Sequence, residues 1–224
     1  MKTVCEIQQD FDRIARLEAP EAWNHNNHYH GWLLRHAPAH CGDALEVGCG
    51  SGEFARLLAA RADRVLALDL SPVMLQLARE RSAAYSQIDY VQADVMTYPL
   101  PAERFDCIAS IATLHHLLLD DVLPTLKAAL KPGGVLLVLD LCRDDGVSDL
   151  LMSAAAVPVN MAVNVARNGG RRGTPESRAA WDAHGRDEVY PSLGEVRRAC
   201  AGLLPGARVR RHFFWRYSLV WTKP

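Results

Sequence analysis

Between Asp43 and Cys142 short apolar runs alternate with amphipathic stretches, the pattern left by parallel strands joined through helices. The runs at 44–48, 64–69, 88–92, 105–111 and 134–140 read as five strands, with room for one helix between each pair. Ser71 and Pro72 offer a helix N-cap and a proline at the first helical position, followed by Met74, Leu75 and Ala78 on one face. Lys131-Pro-Gly-Gly134 ends a helix that begins near Asp120 and turns the chain into the fifth strand. Residues 192–204 read as a last helix, and 207–222 as two antiparallel strands meeting near His212 to Trp215. The expected fold is α/β: a doubly wound, mostly parallel sheet of seven strands. One domain over 1–224 is expected, with a helical lid at 1–42, a core at 43–142, a cap insertion at 143–190 and a closing helix and strands at 191–224.

Composition narrows the partners. Of 224 residues 49% are hydrophobic and 23% charged, enough apolar material for a sizeable core. Lys and Arg total 25 against 26 Asp and Glu, so no positive field exists to hold a nucleic acid backbone, and none is expected as a partner. Glu6 and Asp10 precede any apolar stretch of signal-peptide length, which points to the cytoplasm. The longest uncharged stretch, 150–166, is at the short limit for a membrane span and is interrupted by Pro158, Asn160 and Asn164. It is expected to be buried or lid-forming; a pocket roof and a homodimer contact both remain open. Six scattered cysteines without a C-x-x-C pair read as reduced thiols.

The chemistry concentrates after the first strand, where Leu45-Glu-Val-Gly-Cys-Gly-Ser-Gly52 runs through a glycine-rich turn into a helix. Such a turn lets the backbone pass close beneath a ligand, while the helix offers unpaired N–H groups. A dinucleotide site would read G-x-G-x-x-G, but Glu53 stands directly after Gly52 and disfavours a pyrophosphate. Asp69 closes the second strand, placed to accept both ribose hydroxyls, and Asp94 follows the third, placed to meet an adenine amino group. Singly each acid also suits a turn or a cap; together with Glu46 they describe a nucleoside crevice whose ligand carries no 5′-phosphate.

Five ordered segments carry a resemblance: residues 45–52, Leu68-Asp-Leu-Ser-Pro-Val-Met74, Gln92-Ala-Asp94, 105–116 and Leu130-Lys-Pro-Gly-Gly134. The chain resembles the class I S-adenosylmethionine-dependent methyltransferases, in particular the small-molecule branch that includes ubiquinone and menaquinone biosynthesis enzymes. The resemblance covers 43–142 strongly and 192–222 weakly. It implies a Rossmann-like methyltransferase fold and S-adenosylmethionine as cofactor, with methyl transfer to an O, N or C atom of a small molecule. It places Glu46, Gly48 and Gly50 along the methionine part and Asp69 on the ribose, with Cys49 and Gly52 also binding the cofactor. Asp94 and the Val95 amide would read the adenine between Leu70 and Met74, with Ser110, Ile111 and His115 at the methyl-donor end.

Methyl transfer by in-line displacement needs alignment, exclusion of water and, for a hydroxyl or ammonium acceptor, a base. His115 and His116, at the carboxyl end of the fourth strand, are the catalytic candidates, with a structural role as the alternative. If residues 23–36 are helical, His25, Tyr29, Trp32 and His36 make one stripe and Trp23, Asn27, His30 and Leu34 another. By resemblance Tyr29 with His30 closes over the cofactor carboxylate. His25, His28 and His30 lack Cys or acidic partners, so no metal is expected. Arg167, Arg171, Arg172 and Arg178 either clasp an anionic substrate or decorate a solvated loop. Residues 210–217 fit a core strand better than a nucleic-acid platform. No Asn/Asp-Pro-Pro-Tyr/Phe motif or Pro-Cys dipeptide marks a base-modifying enzyme. The alternatives kept are a protein or RNA methyltransferase and a binding protein or non-methylating enzyme on the same fold.

Overall fold

The computed structural model describes residues 2–17, 22–170 and 173–224. Seven strands form one sheet: β1 (Cys41–Val47), β2 (Ala62–Asp69), β3 (Ile88–Gln92), β4 (Phe105–Ile111), β5 (Leu130–Leu141), β6 (Arg208–His212) and β7 (Arg216–Thr222). Their order is β3-β2-β1-β4-β5-β7-β6; β1 to β5 run parallel, and β7 lies antiparallel to both β5 and β6. This is the doubly wound, mostly parallel sheet that the alternation of apolar runs predicts.

Helices α3 (Glu53–Ala59), α4 (Pro72–Arg81), α5 (Leu119–Ala129) and α8 (Leu193–Leu203) cover the sheet. The inner strands are buried on both faces, β1 and β4 almost continuously, which is why they read as unbroken apolar runs. One face packs Leu45, Phe105, Ile108 and Leu136 with Leu123 and Leu126 of α5 and Val196 of α8. The other packs Ala44, Ala67, Ala109 and Leu137 with Phe54 and Leu58 of α3. Ser71 caps α4 as expected, its hydroxyl accepting from the Met74 N–H, with Pro72 at the first position.

The Lys131-Pro-Gly-Gly134 segment behaves differently from expectation. It does not precede β5 but lies within it, as a bulge between the Phe105↔Leu130 and Cys107↔Val135 pairs. A Cβ at Gly134 would meet the carbonyl oxygens of Lys131 at 2.9 Å and Phe105 at 3.0 Å, so only glycine lets the two backbones approach.

Above the carboxyl ends of the strands lie α1 (Val4–Arg16), α6 (Val147–Asn168) and α7 (Pro175–Gly185). Helix α1 begins with a Thr3/Glu6 capping box and docks Ile14 and Ala15 against Met74 of α4 and Ala180 of α7. Between α1 and β1 the chain forms a 3-10 turn, Asn27–Tyr29, and a short helix, α2 (His30–Leu34). The two long stripes expected of residues 23–36 therefore do not form.

Helix α6 is not buried, which leaves the lid-forming alternative for 150–166. It runs unbroken through Pro158, and Ala156 is its buried residue. It is long and apolar enough to cross a membrane, and its three asparagines, Asn160, Asn164 and Asn168, are half-buried. Asn160 bonds His25 Nε2 at 2.9 Å, and the Asn168 amide both accepts from the Trp23 N–H and donates to the Trp23 carbonyl. Val147, Leu150, Leu151, Met161 and Val165 remain exposed.

Candidate active site

The strand order reverses between β1 and β4, the switch point at which doubly wound sheets leave a crevice beyond the carboxyl ends of their strands. A cavity of about 1070 Å³ opens there, walled by the β1–α3 turn, the ends of β2, β3 and β4, and roofed by α1, α6 and α7. Gly48, Gly50 and Gly52 all have positive φ, and they serve different ends. A Cβ at Gly48 would lie 2.0 Å from Thr113 Oγ1 and one at Gly52 2.3 Å from the Tyr90 hydroxyl, whereas nothing lies within 4 Å of Gly50. Gly48 and Gly52 permit packing; the bare Cα of Gly50 leaves room beside the cavity.

Two acids flank that opening. Asp69 Oδ2 accepts from the Gly50 N–H and Oδ1 from the Ser71 N–H, each at 2.8 Å, which pins the glycine turn to the second strand. Burial nonetheless pushes its carboxyl up. Glu46 is 2% exposed and its Oε2 has no hydrogen-bond partner. Burial and the neighbouring Asp69 push it well above the usual carboxylate range. An orphaned buried carboxylate oxygen at a cavity wall is costly unless a ligand donor meets it. Asp94 Oδ1 accepts from the Met96 N–H, and Asp94, Val95, Leu70 and Met74 line the same wall.

Most residues named from the sequence reach the cavity: His30, Glu46, Gly48, Cys49, Gly50, Asp69, Leu70, Met74, Asp94, Val95, Ile111, His115 and His116. Three do not. Tyr29 turns away: its hydroxyl donates to the Phe213 carbonyl at 2.7 Å and its ring packs on His212, so it holds the β6–β7 hairpin rather than covering the cofactor. Ser110 is fully buried and donates to the Val47 carbonyl, tying β4 to β1. Gly52 faces Tyr90 within the core. Within the 1–42 segment expected as a lid, α1 brings Ile7 and Phe11 to the cavity. Arg178 sits on the cavity rim within helix α7 rather than a solvated loop, while Arg171 and Arg172 lie outside the described residues. His25 stacks on Phe214 at 5.2 Å and His28 packs edge-on to Trp23, so the histidines of 25–30 are spread among aromatic contacts.

His115 and His116 occupy the far end of the cavity on a 3-10 turn, Leu114–His116. His115 Nδ1 lies 2.6 Å from Asp140 Oδ1, and the His115 N–H donates to Asp140 Oδ2 at 2.9 Å. Asp140, fully buried at the end of β5, thus fixes the ring and leaves Nε2 as the nitrogen with a free lone pair. The sequence carried a signal for it: Asp140 closes a strand as Glu46, Asp69 and Asp94 do or nearly do. His116 packs against His115 and His184, and burial with those neighbours drives its pKa down to about 2. His184 and Glu188, from the insertion, had no motif to announce them.

The chain matches a family model described as a methyltransferase domain over residues 45–138. An uncharacterized methyltransferase of Mycobacterium tuberculosis is 32% identical over 210 residues, spanning 91% of this chain and 98% of the relative. The chain belongs to the class I S-adenosylmethionine-dependent methyltransferases. A malonyl-[acyl-carrier protein] O-methyltransferase of Serratia marcescens is 39% identical over 107 residues, 47% of this chain and 41% of that protein. The fold is shared with the N-methyltransferase NodS of Bradyrhizobium japonicum, solved with S-adenosyl-L-homocysteine: TM-score 0.66 at 18% identity, covering 97% and 98% of the two chains.

The methyltransferase therefore uses S-adenosylmethionine, and its cavity fits that molecule. The open face of Gly50 and the orphaned Glu46 oxygen suit the methionine end and its ammonium; the second lone pairs of the Asp69 oxygens suit two ribose hydroxyls; Asp94 and the Val95 N–H suit the adenine edge. When bound, the cofactor supplies an electrophilic sulfonium methyl.

Proposed function

We propose that this methyltransferase acts on a small-molecule acceptor carrying a hydroxyl or amine, held under α1 and α7 with its nucleophilic atom near His115 Nε2. The observation that carries this is one cavity holding both the nucleoside walls and the Asp140–His115 pair. Its volume of about 1070 Å³ exceeds the roughly 300–1,000 Å³ of a single-ligand pocket, which supports two ligands side by side. The roof of three helices favours a small acceptor over a polymer, and a formal charge of −1 argues against nucleic acid. In this reading His115 takes the acceptor's proton while Asp140 steadies the imidazolium. Phe11, Trp181 and Ile7 exclude water from the transfer.

All six cysteines are free thiols, which supports a reducing compartment such as the cytoplasm. The exposed apolar side of α6 supports a homodimer contact; light scattering should give twice the 24.8 kDa chain mass, and Leu151→Glu should return it to one.

The test is incubation of the protein with methyl-labelled S-adenosylmethionine and a metabolite extract, followed by mass spectrometry. A labelled small molecule is expected. Label appearing only in protein or RNA overturns the proposal, and cofactor binding with no label in any fraction would favour a non-methylating role.

A further inference from the structure

Three imidazoles converge beneath the roof: one ligand atom from each of His115, His116 and His184 lies within 4.8 Å of the others, and all three residues are buried. Buried imidazoles are ordinarily satisfied by hydrogen bonds. Here neither ring nitrogen of His116 makes a hydrogen bond, and the Glu188 carboxylate touches the group: Oε2 is 3.2 Å from His116 Nδ1, and Oε1 is 3.9 Å from His184 Nε2 and 3.5 Å from Lys2 Nζ. A buried imidazole with neither nitrogen in hydrogen-bond geometry, costing about 1–3 kcal/mol if left so, beside two further imidazoles and a carboxylate calls for a partner that accepts several lone pairs at once.

The outer partners of the histidines match that need. A metal-binding imidazole commonly gives its other nitrogen to a carboxylate, which sets the tautomer and orients the ring. His115 Nδ1 meets Asp140 at 2.6 Å and His184 Nδ1 meets Asp10 at 3.1 Å, which leaves Nε2 of each ring available as a ligand atom. The charges around it are Asp10, Asp140 and Glu188 against Lys2 and Arg216. Lys2 Nζ sits 2.7 Å from Asp10 Oδ2 and 3.5 Å from Glu188 Oε1, and burial with the nearby Asp140 shapes the Arg216 environment. Carboxylates thus outnumber cations where the imidazoles meet.

We propose that His115, His116, His184 and Glu188 form a binding site for a borderline divalent transition metal, zinc being the probe of choice. Imidazole nitrogens with one carboxylate suit zinc, cobalt or iron(II) and do not suit magnesium or calcium, which take oxygen ligands. Ligand atoms of a tetrahedral zinc site lie about 3.3 Å apart, so the group contracts around the ion by rotation of its rings.

For what the ion does, the inference rests on the methyltransferase reading: four side chains leave a tetrahedral ion no open position for the acceptor, and a filled site occupies His115 Nε2, so the bound ion holds the roof and suppresses transfer that needs the free imidazole. Ion binding itself does not rest on it. Helix α7 supplies His184 and lies next to Glu188, and α1 supplies Asp10, so a bound ion would also tie the roof to β4 and β5.

The test is titration of the chelator-treated protein with Zn²⁺ by calorimetry and with Co²⁺ by visible absorption, alongside separate titration with S-adenosylhomocysteine. One equivalent of Zn²⁺ and an intense tetrahedral Co²⁺ spectrum are expected. His184→Ala and Glu188→Gln should each weaken Zn²⁺ by about 100-fold or more, and Asp10→Asn by about 10–100-fold. S-adenosylhomocysteine affinity should stay within about threefold in Glu188→Gln, which also certifies its fold should His184→Ala fail to fold. Substoichiometric Zn²⁺ binding, a weak octahedral Co²⁺ spectrum, or unchanged Zn²⁺ affinity in folded Glu188→Gln would overturn the site. Loss of S-adenosylhomocysteine binding in the parent protein would instead overturn the cofactor assignment and leave the metal result standing.

Discussion

Replacing Asp69 by alanine separates a ligand contact from a structural one. Each Asp69 oxygen already accepts one backbone N–H, from Gly50 and Ser71 at 2.8 Å, and each keeps a second lone pair for a ribose hydroxyl. A hydrogen bond to a charged acceptor contributes about 1.5–3 kcal/mol, so losing two should weaken S-adenosylhomocysteine by at least about 3 kcal/mol, or more than 100-fold in Kd. The orphaned N–H groups should cost about 1 kcal/mol apiece because water reaches them through the cavity, which for a chain of this size lowers Tm by about 4–8 °C. Calorimetric titration with S-adenosylhomocysteine and a melt followed by circular dichroism read the two effects separately. A lowered Tm with Kd within twofold of the parent would refute the ribose assignment and leave Asp69 as a brace for the glycine turn.

Other consequences follow from the same geometry. Asp140→Asn keeps a hydrogen-bond acceptor for His115 Nδ1 but removes the charge; kcat should fall about 100-fold or more with KM for S-adenosylmethionine unchanged, and an unaltered kcat would make the pair structural. His30, His116 and His212 are held neutral by burial, with pKa values lowered to about 4, 2 and 4. Depressed folded-state values mean stability that is complete above about pH 6.5 and lost as pH falls toward 4, with a slope of up to about 4 kcal/mol per pH unit; urea titrations at pH 7.5, 6 and 5 check this, and a flat profile contradicts it. Tyr29→Phe removes the bond to the Phe213 carbonyl and should cost about 1 kcal/mol while leaving S-adenosylhomocysteine affinity unchanged. A tenfold loss of affinity would return Tyr29 to the cofactor.

The sheet was legible because its inner strands are buried on both faces, so Leu45, Ile108 and Leu137 sit in unbroken apolar runs punctuated by turn residues. The cavity wall was legible because Gly50 and the acids at 46, 69 and 94 stand at or just beyond the carboxyl ends of β1, β2 and β3, where a doubly wound sheet opens its crevice. What escaped depends on long-range placement. Ser110 belongs to the same motif as Ile111, but alternation along β4 turns its side chain onto Val47. Tyr29 stands next to His30, yet a single 3-10 turn sends the two side chains in opposite directions. The β6–β7 hairpin turns on Phe214 and Trp215, both at φ 57, where a tight turn normally uses Asn and Gly. Phe214 is held there by burial against Trp23 and His25, a contact no local signal encodes. His184 and Glu188 lie some seventy residues beyond His116 and meet it only because α7 folds back over the sheet.

The most direct measurement is calorimetric titration of the protein with S-adenosylmethionine, S-adenosylhomocysteine and NAD. The account predicts stoichiometric, micromolar binding of the first two and none of the third, because the cavity offers Glu46 to an ammonium and Asp69 to a ribose but places Glu53 at the glycine turn. Absence of binding by both S-adenosyl compounds, or NAD binding of equal strength, would contradict it.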